Sequence, residues 1–102
     1  MDGLGRFADP SVLILTSLAG GPKHGYALIK DIEQLVGAAV GPGTLYAALS
    51  RLEQRHYVET LPEQDRRRPY RITPAGVAAV RTYLEQARRI STAGLERLQA
   101  FA

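Results

Sequence analysis

The central segment of this chain reads Gly41-Pro42-Gly43-Thr44-Leu45-Tyr46-Ala47-Ala48-Leu49-Ser50-Arg51-Leu52-Glu53-Gln54. Its apolar residues fall at i, i+3, i+4 and i+7, which places them on one face of a helix. They are Leu45, Ala48, Leu49 and Leu52. Pro42 suits the first helical position, because its missing N–H would have no partner there in any case. The segment therefore predicts an amphipathic helix that begins at Pro42.

The opposite face of this predicted helix is small, hydroxylated and basic. It carries Gly43, Ala47, Ser50 and Gln54, flanked by Thr44, Tyr46 and Arg51, with no acidic residue before Glu53. Small residues allow a close approach, and the free N–H groups at a helix start favour phosphate. The pattern is suited to a helix that lies against a polyanion. An ordinary amphipathic helix with an alanine-rich outer face is the alternative interpretation.

Length and composition indicate one small folded domain. The chain has 102 residues, 45% of them hydrophobic and 23% charged, which is in the ordinary globular range. It has no cysteine, so a disulfide framework and a thiolate metal site are excluded and a reducing compartment is indicated. No apolar run approaches the roughly 18 residues of a membrane span, and the first six residues lack the order of a signal peptide. We therefore expect a cytoplasmic protein without membrane association.

The net charge of +3 is unevenly distributed along the chain. Residues 41–73 carry six basic and four acidic groups, whereas residues 1–40 carry three basic and four acidic groups. The basic residues are densest at Arg66-Arg67-Arg68. A charge of this size supports contact with phosphate without requiring it.

Two further helices are predicted before the central one. Asp9-Pro10 is an N-cap followed by proline, and the next residues up to Leu18 are apolar nearly all round, as in a buried helix. Gly20-Gly21-Pro22 ends it. A second helix opens at Lys23–Tyr26 and closes at Gly37. Its apolar positions, at i, i+4, i+7 and i+8, are Leu28, Ile32, Leu35 and Val36. The short link to the central helix is typical of a helix-turn-helix.

Two alternating runs follow the central helix, Tyr57–Leu61 and Pro69–Ile72, and we expect them to pair as a hairpin with a basic tip. Thr73-Pro74 repeats the cap-plus-proline signal and starts a last helix from Ala75 to about Ala100, roughly 39 Å long. The order of elements predicts a mainly α fold with a small β-hairpin (α+β): a winged helix-turn-helix with a long C-terminal dimerisation helix.

Three segments carry a family resemblance. They are His24-Gly25-Tyr26-Ala27-Leu28, Pro42-Gly43-Thr44-Leu45-Tyr46 with Leu49 and Leu52-Glu53, and Arg66-Arg67-Arg68-Pro69-Tyr70-Arg71-Ile72-Thr73-Pro74-Ala75-Gly76. In this order and spacing, from Val12 to Gly76, the sequence resembles the PadR family of bacterial transcriptional regulators. Two positions depart from the usual pattern: Gly41 stands where a small hydroxylated residue is usual, and His56 where glycine usually follows the third helix.

The resemblance implies a homodimeric DNA-binding repressor without a cofactor, often relieved by a small aromatic or lipophilic effector. It implies that Thr44 and Tyr46 meet phosphate or sugar, that Arg51 reads a base, and that the arginine run follows the adjacent minor groove. Arg51 alone on the outer face has the bidentate fork that reads guanine well. The candidate DNA-binding residues are Lys23, Tyr26, Gly43, Thr44, Tyr46, Ala47, Ser50, Arg51, Arg66, Arg67 and Arg68.

The last helix predicts a dimer. Its second half keeps an apolar stripe that has no partner left in the chain, and a second copy is the simplest cover. We expect residues 1–74 to form the DNA-binding domain with an N-terminal arm, and residues 75–102 the dimerisation helix. The candidate interface comprises Leu4, Phe7, Ala87, Ile90, Leu95, Leu98 and Phe101, and a candidate effector pocket comprises Phe7, Tyr83, Ile90 and Phe101.

Two other classes of function are alternatives to a DNA-binding regulator. An enzyme is disfavoured, because the sequence has no cysteine nucleophile, no Gly-x-Ser-x-Gly turn and no phosphate loop ending in lysine. The two histidines, His24 and His56, are too few and too far apart to predict a metal site. A winged helix that binds a protein and not DNA is the main alternative. Taken alone, the arginine run would be interpreted as a solvated loop tip. Packing at the edge of the helix is the alternative interpretation of Tyr46.

Overall fold

The computed structural model describes residues 9–101. Its elements are α1 (Pro10–Leu18), α2 (Gly25–Val36), α3 (Pro42–Gln54), β1 (Val58–Thr60), β2 (Tyr70–Ile72), α4 (Pro74–Leu98) and a final 3₁₀ turn (Gln99–Phe101). The predicted mainly α fold with a small hairpin is confirmed. The predicted arm residues Leu4 and Phe7 lie outside the described part of the chain.

Local capping explains where the helices begin and end. Asp9 accepts a hydrogen bond from the Ser11 N–H at 2.7 Å, and Thr73 accepts one from the Gly76 N–H at 3.1 Å. Gly37 closes α2 with a φ of 72°, the left-handed conformation that glycine adopts without strain. Helix α3 starts at Pro42 without a side-chain cap.

Helix α1 is the centre of the core. It contacts α2, α3, α4 and β2, as a helix that is apolar nearly all round requires. The most deeply buried large side chains are Ile14, Leu18, Leu28, Ile32 and Leu45. The predicted apolar face of α3 is buried as well. The core therefore fixes α2 and α3 relative to each other through α1.

The hairpin packs beside this helical core. β1 and β2 are antiparallel, with Val58 opposite Ile72 and Thr60 opposite Tyr70. Before the hairpin, His56 adopts a φ of 62°, so the position where the family usually has glycine does use the left-handed conformation. Between α1 and α2, the backbone of Lys23 exchanges hydrogen bonds with Tyr70 at 2.9 and 3.1 Å. The α1–α2 loop is thus attached to the sheet.

The tip of the hairpin is a tight turn. Gln64 and Arg67 exchange backbone hydrogen bonds at 2.7 and 2.8 Å. The two residues between them have positive φ, 50° at Asp65 and 65° at Arg66, as in a type I′ turn. Glycine or asparagine usually occupies such positions, so Arg66 holds a backbone conformation that is unfavourable for its type.

The start of α4 is fastened to the segment before β1. The Thr73 N–H donates to the Tyr57 carbonyl at 3.0 Å, and the Thr73 hydroxyl donates to the His56 carbonyl at 2.6 Å. Gly76 is buried there, and a Cβ at its position would overlap the Tyr57 carbonyl oxygen and lie 2.9 Å from Ile72 Cγ1. Close packing of α4 on the winged domain therefore requires glycine at this residue.

The second half of α4 projects beyond the core. Ile90, Leu95, Leu98 and Phe101 have 60–82% of their surface exposed in the single chain. The molecule is correspondingly elongated, with principal extents of 54 × 28 × 20 Å. Within residues 9–101, no helix combines the length and the apolar character needed to cross a membrane.

We predict that Gly76→Ala destabilises the fold by roughly 1–3 kcal/mol, because the added methyl must displace backbone and not a mobile side chain. Gly43→Ala in α3 is the helical control, since a Cβ at Gly43 would also meet nothing within 4 Å. The control should leave stability unchanged or raise it by up to about 1 kcal/mol. Urea denaturation followed by circular dichroism measures both. Equal midpoints for the two variants would contradict the packing described for Gly76.

We also predict that Arg66→Gly stabilises the fold by on the order of 1 kcal/mol, because glycine relieves the positive φ. Arg68→Gly is the control in the same arginine run, where φ is not positive, and it should be neutral or destabilising. The same urea denaturation measures the change. A loss of stability in Arg66→Gly would show that the arginine side chain contributes more than its backbone conformation costs.

Candidate nucleic-acid interface

The outer face of α3 is open to solvent. Six of the predicted contact residues are exposed on this helix: Gly43, Thr44, Tyr46, Ala47, Ser50 and Arg51. The helix carries a single acidic residue, Glu53, in its last turn. Because its other face is buried against the core, the exposed face is held rigidly. This half of α3 presents small side chains and one guanidinium, a surface that can approach a groove closely.

A groove runs between the start of α2, the side of α3 and the hairpin. It is lined by His24, Gly25, Tyr26, Tyr46, Arg67, Arg68 and Tyr70. Four of the predicted contact residues therefore border one depression: Tyr26, Tyr46, Arg67 and Arg68. Phenol hydroxyls and guanidinium groups at a helix N-terminus are the donors that phosphate oxygens accept from. The arrangement can follow a sugar-phosphate backbone beside α3.

His24 joins α2 to the hairpin. Its Nδ1 is the N-cap acceptor for the Ala27 N–H at 3.4 Å, and its Nε2 lies 3.1 Å from Arg67 Nη1. A neutral imidazole has one acceptor nitrogen at a time, so a given tautomer makes only one of these two hydrogen bonds. The contact holds Arg67 against the start of α2, whereas Arg66 stands at the turn. The three arginines of the run are therefore not equivalent.

Tyr70 combines packing with a place in the groove. It is partly buried and packs against the core together with Ile72. Burial raises the pKa of the Tyr70 phenol, and Glu53 and Tyr46 raise it further, whereas Arg68 lowers it. A tyrosine hydroxyl is protonated at neutral pH in any case, so the Tyr70 phenol is a hydrogen-bond donor in the lining of the groove.

Lys23 is used inside the chain. Its ammonium donates to the Ser17 carbonyl at 2.5 Å at the end of α1, and lies 3.9 Å from the Asp31 carboxylate. Ser17 in turn donates its hydroxyl to Asp31 at 2.5 Å. A lysine near a helix C-terminus stabilises the last carbonyls. This geometry favours a structural role for Lys23 over the predicted contact of its side chain with DNA.

The residues predicted for dimerisation and effector binding are distributed along α4. Tyr83 and Ile90 are about 10 Å apart along the axis, and Phe101 is far beyond them in the final turn. Within one chain they enclose no cavity among the described residues. The apolar groove at this end lies instead between the end of α1, β2 and the first half of α4, where Ile72, Val77 and Leu84 line it. The effector pocket stays a prediction.

Three residues near this surface were not among the predicted DNA-binding residues. They are His24, which caps α2 and meets Arg67, Gly25, which lies under Tyr46, and Lys30, whose ammonium is 5.5 Å from the centre of the Tyr26 ring. The i, i+4 spacing of Tyr26 and Lys30 on one helix could have indicated their contact. No local signal links residues as distant as His24 and Arg67.

Two curated proteins are similar in sequence to this chain. An uncharacterized 37.1 kDa protein in transposon TN4556 of Streptomyces fradiae is 51% identical over 71 residues, 70% of this chain and 21% of that protein. The transcriptional activator GvpE2 of Halobacterium salinarum is 34% identical over 77 residues, 76% of this chain and 39% of that protein. The chain thus spans about a fifth of the length of the first of these curated relatives and about two fifths of the length of the second.

Solved structures agree with the fold. A PadR-like transcriptional regulator from Bacillus cereus superposes with a TM-score of 0.78 at 22% identity, over 87% of this chain and 90% of that one. The sequence profile of the PadR-like transcriptional regulators matches residues 14–82, which include the second half of α1, the helix-turn-helix, the hairpin and the start of α4. The chain therefore belongs to the transcriptional regulator PadR-like family.

Proposed function

We propose that this protein is a homodimeric, sequence-specific DNA-binding regulator whose two α3 helices enter successive major grooves of a pseudo-palindromic operator. One observation carries the proposal: the start of α2, the exposed side of α3 and the hairpin meet at a single groove lined by tyrosines and arginines. The exposed face of α3 lies beside that groove and bears no acidic residue before its last turn. A surface for an acidic or neutral protein partner would not require this combination.

The residues divide by the kind of contact that they can make. Arg51 is the base reader of the proposal, because it is an exposed guanidinium on α3 and two parallel hydrogen bonds to guanine need such a fork. Tyr26 and Tyr46 supply hydroxyls to phosphates, which position the protein without selecting a sequence. The remaining outer-face residues, Gly43, Thr44, Ala47 and Ser50, permit the close approach.

The hairpin supplies the sequence-independent part of the affinity. Arg66 stands at the turn, where it can reach beyond the groove, whereas Arg67 and Arg68 border the groove itself. Arg71 of the same hairpin is different, because its guanidinium donates twice to the Glu59 carboxylate, at 2.7 and 3.0 Å. That pair neutralises Arg71 locally, so the proposal assigns it no DNA contact.

We predict that replacing Arg66, Arg67 and Arg68 together with alanine weakens binding to all DNA sequences. Each lost phosphate contact lowers the slope of log affinity against log salt by about 0.9. Binding to genomic DNA fragments, measured by fluorescence anisotropy at several salt concentrations, gives the slope. Arg71→Ala removes one positive charge from the same hairpin and should change the slope little. If the triple variant keeps the wild-type slope, the hairpin does not contact DNA.

The dimer of the proposal rests on the exposed stripe of α4. Ile90, Leu95, Leu98 and Phe101 lie beyond the reach of the winged domain, and apolar side chains this exposed favour a partner. The same stripe on a second copy is self-complementary under two-fold symmetry. Two-fold symmetry would in turn separate the two α3 helices by about one turn of DNA, roughly 34–36 Å.

We predict that Leu95→Asp with Leu98→Asp converts the protein to a monomer, because two carboxylates cannot be buried unpaired in the interface. The winged domain should retain its helical content, since neither leucine contacts the core. Glu96→Ala with Gln99→Ala, changed on the other side of the helix, is the control and should remain dimeric. Sedimentation at micromolar concentration measures the state. A wild-type protein that sediments as a monomer would exclude the proposed dimer.

The direction of regulation is a separate part of the proposal. The resemblance implies a repressor, whereas one relative is named a transcriptional activator. Both outcomes use the same DNA-binding surface, because the position of the operator relative to the promoter determines which one follows. We propose repression as the default, since a dimer bound over a promoter excludes polymerase without any further contact.

A further inference from the structure

Gly25 contacts a residue that is remote from it in sequence. It is the first residue of α2, and the side chain of Tyr46 from α3 crosses directly over its Cα. A Cβ at residue 25 would overlap the Tyr46 hydroxyl and lie 3.0 Å from Cζ and 3.3 Å from Cε1 of the ring. The position therefore has no room for any side chain while Tyr46 keeps its place.

Conformation does not explain this glycine. The φ of Gly25 is outside the left-handed range, unlike those of Gly21 and Gly37, so any residue could adopt its backbone. Glycine is also a poorer helix former than alanine by up to about 1 kcal/mol. What glycine provides here is space, and the three atoms nearest to this space all belong to the Tyr46 phenol.

The phenol that fills this space belongs to the groove of the proposed function. Tyr46 is 47% exposed and borders the same depression as Arg67 and Arg68. With Gly25 beneath it, the ring lies against the start of α2 and its hydroxyl stays at the junction of α2, α3 and the hairpin. A tyrosine without this support could rotate about χ1 and χ2 into solvent.

We propose that Gly25 is a positioning residue for DNA binding. Because Gly25 has no side chain, the Tyr46 phenol can pack against the start of α2 and stay in the groove. This inference rests on the proposed function. It distinguishes Gly25 from Gly76, whose Cβ would meet backbone. The overlap at Gly25 is with the end of a half-exposed side chain, so a methyl there displaces Tyr46 and leaves the fold intact.

A double-mutant cycle tests the coupling. Gly25→Ala should weaken DNA binding about tenfold, the effect of losing one hydrogen bond to a charged oxygen. Tyr46→Ala should weaken binding by at least as much, and adding Gly25→Ala to Tyr46→Ala should have no further effect, because the group that the methyl displaces is gone. Fluorescence anisotropy on one DNA fragment at fixed salt measures all four proteins. An equal loss from Gly25→Ala in both backgrounds would overturn the proposal, because the methyl would then act on DNA directly.

A measurement without DNA separates this inference from the proposed function. The ring resonances of Tyr46 in a ¹H–¹³C NMR spectrum should shift in Gly25→Ala and stay in place in Gly20→Ala, a glycine whose Cβ would make ordinary contacts. The urea midpoint of Gly25→Ala should equal or exceed that of the wild type. Unchanged Tyr46 resonances in Gly25→Ala would overturn the proposal that Gly25 positions Tyr46. If the Tyr46 resonances shift in Gly25→Ala but the wild-type protein binds no DNA, the proposed function is overturned, and with it the role of Gly25 in DNA binding.

Discussion

The burial of α1 is the constraint on which the rest of this structure depends. A nine-residue helix that is apolar nearly all round cannot remain in water, so α2, α3, α4 and β2 all pack against it. Because the chain is short, packing these elements around α1 uses most of their apolar surface, and a second hydrophobic core cannot form. The outer sides of α2 and α3 consequently do not contribute to the core, and their side chains are available for contacts outside the molecule.

Lys23 connects the core helix α1 to the hairpin. Its side chain is anchored at the end of α1, while its backbone pairs with Tyr70 of β2. One residue thus ties the core helix, the entry to α2 and the sheet together, and His24 and Gly25 follow immediately. These short connections and the Arg67–His24 contact join the hairpin to the start of α2, in addition to the packing of Val58 and Ile72 on the core.

Local patterns in the sequence were sufficient for the elements. Asp9-Pro10, Gly37 and Thr73-Pro74 mark helix ends because capping depends on neighbouring residues alone, and each is found where it was predicted. The exposed face of α3 also follows from periodicity. The contacts of Tyr46 with Gly25 and of Arg67 with His24 could not be predicted in this way. They depend on how separate elements approach one another, and periodicity specifies only which face of an element is apolar. For the same reason the sequence could not show that the Lys23 side chain turns inward.

The projecting half of α4 has a mechanical consequence for the proposed dimer. The helix is a rigid arm of about 37 Å, and its buried residues, Gly76 and Val80, lie near the end that joins the winged domain. If the two arms are joined at their far ends, a change of about 10° in their crossing angle would displace each recognition helix by several ångströms. Such a displacement is large compared with the length of a hydrogen bond to a base edge. Any contact that alters the packing between the arms would therefore tune the fit to the operator without touching the DNA-binding surface.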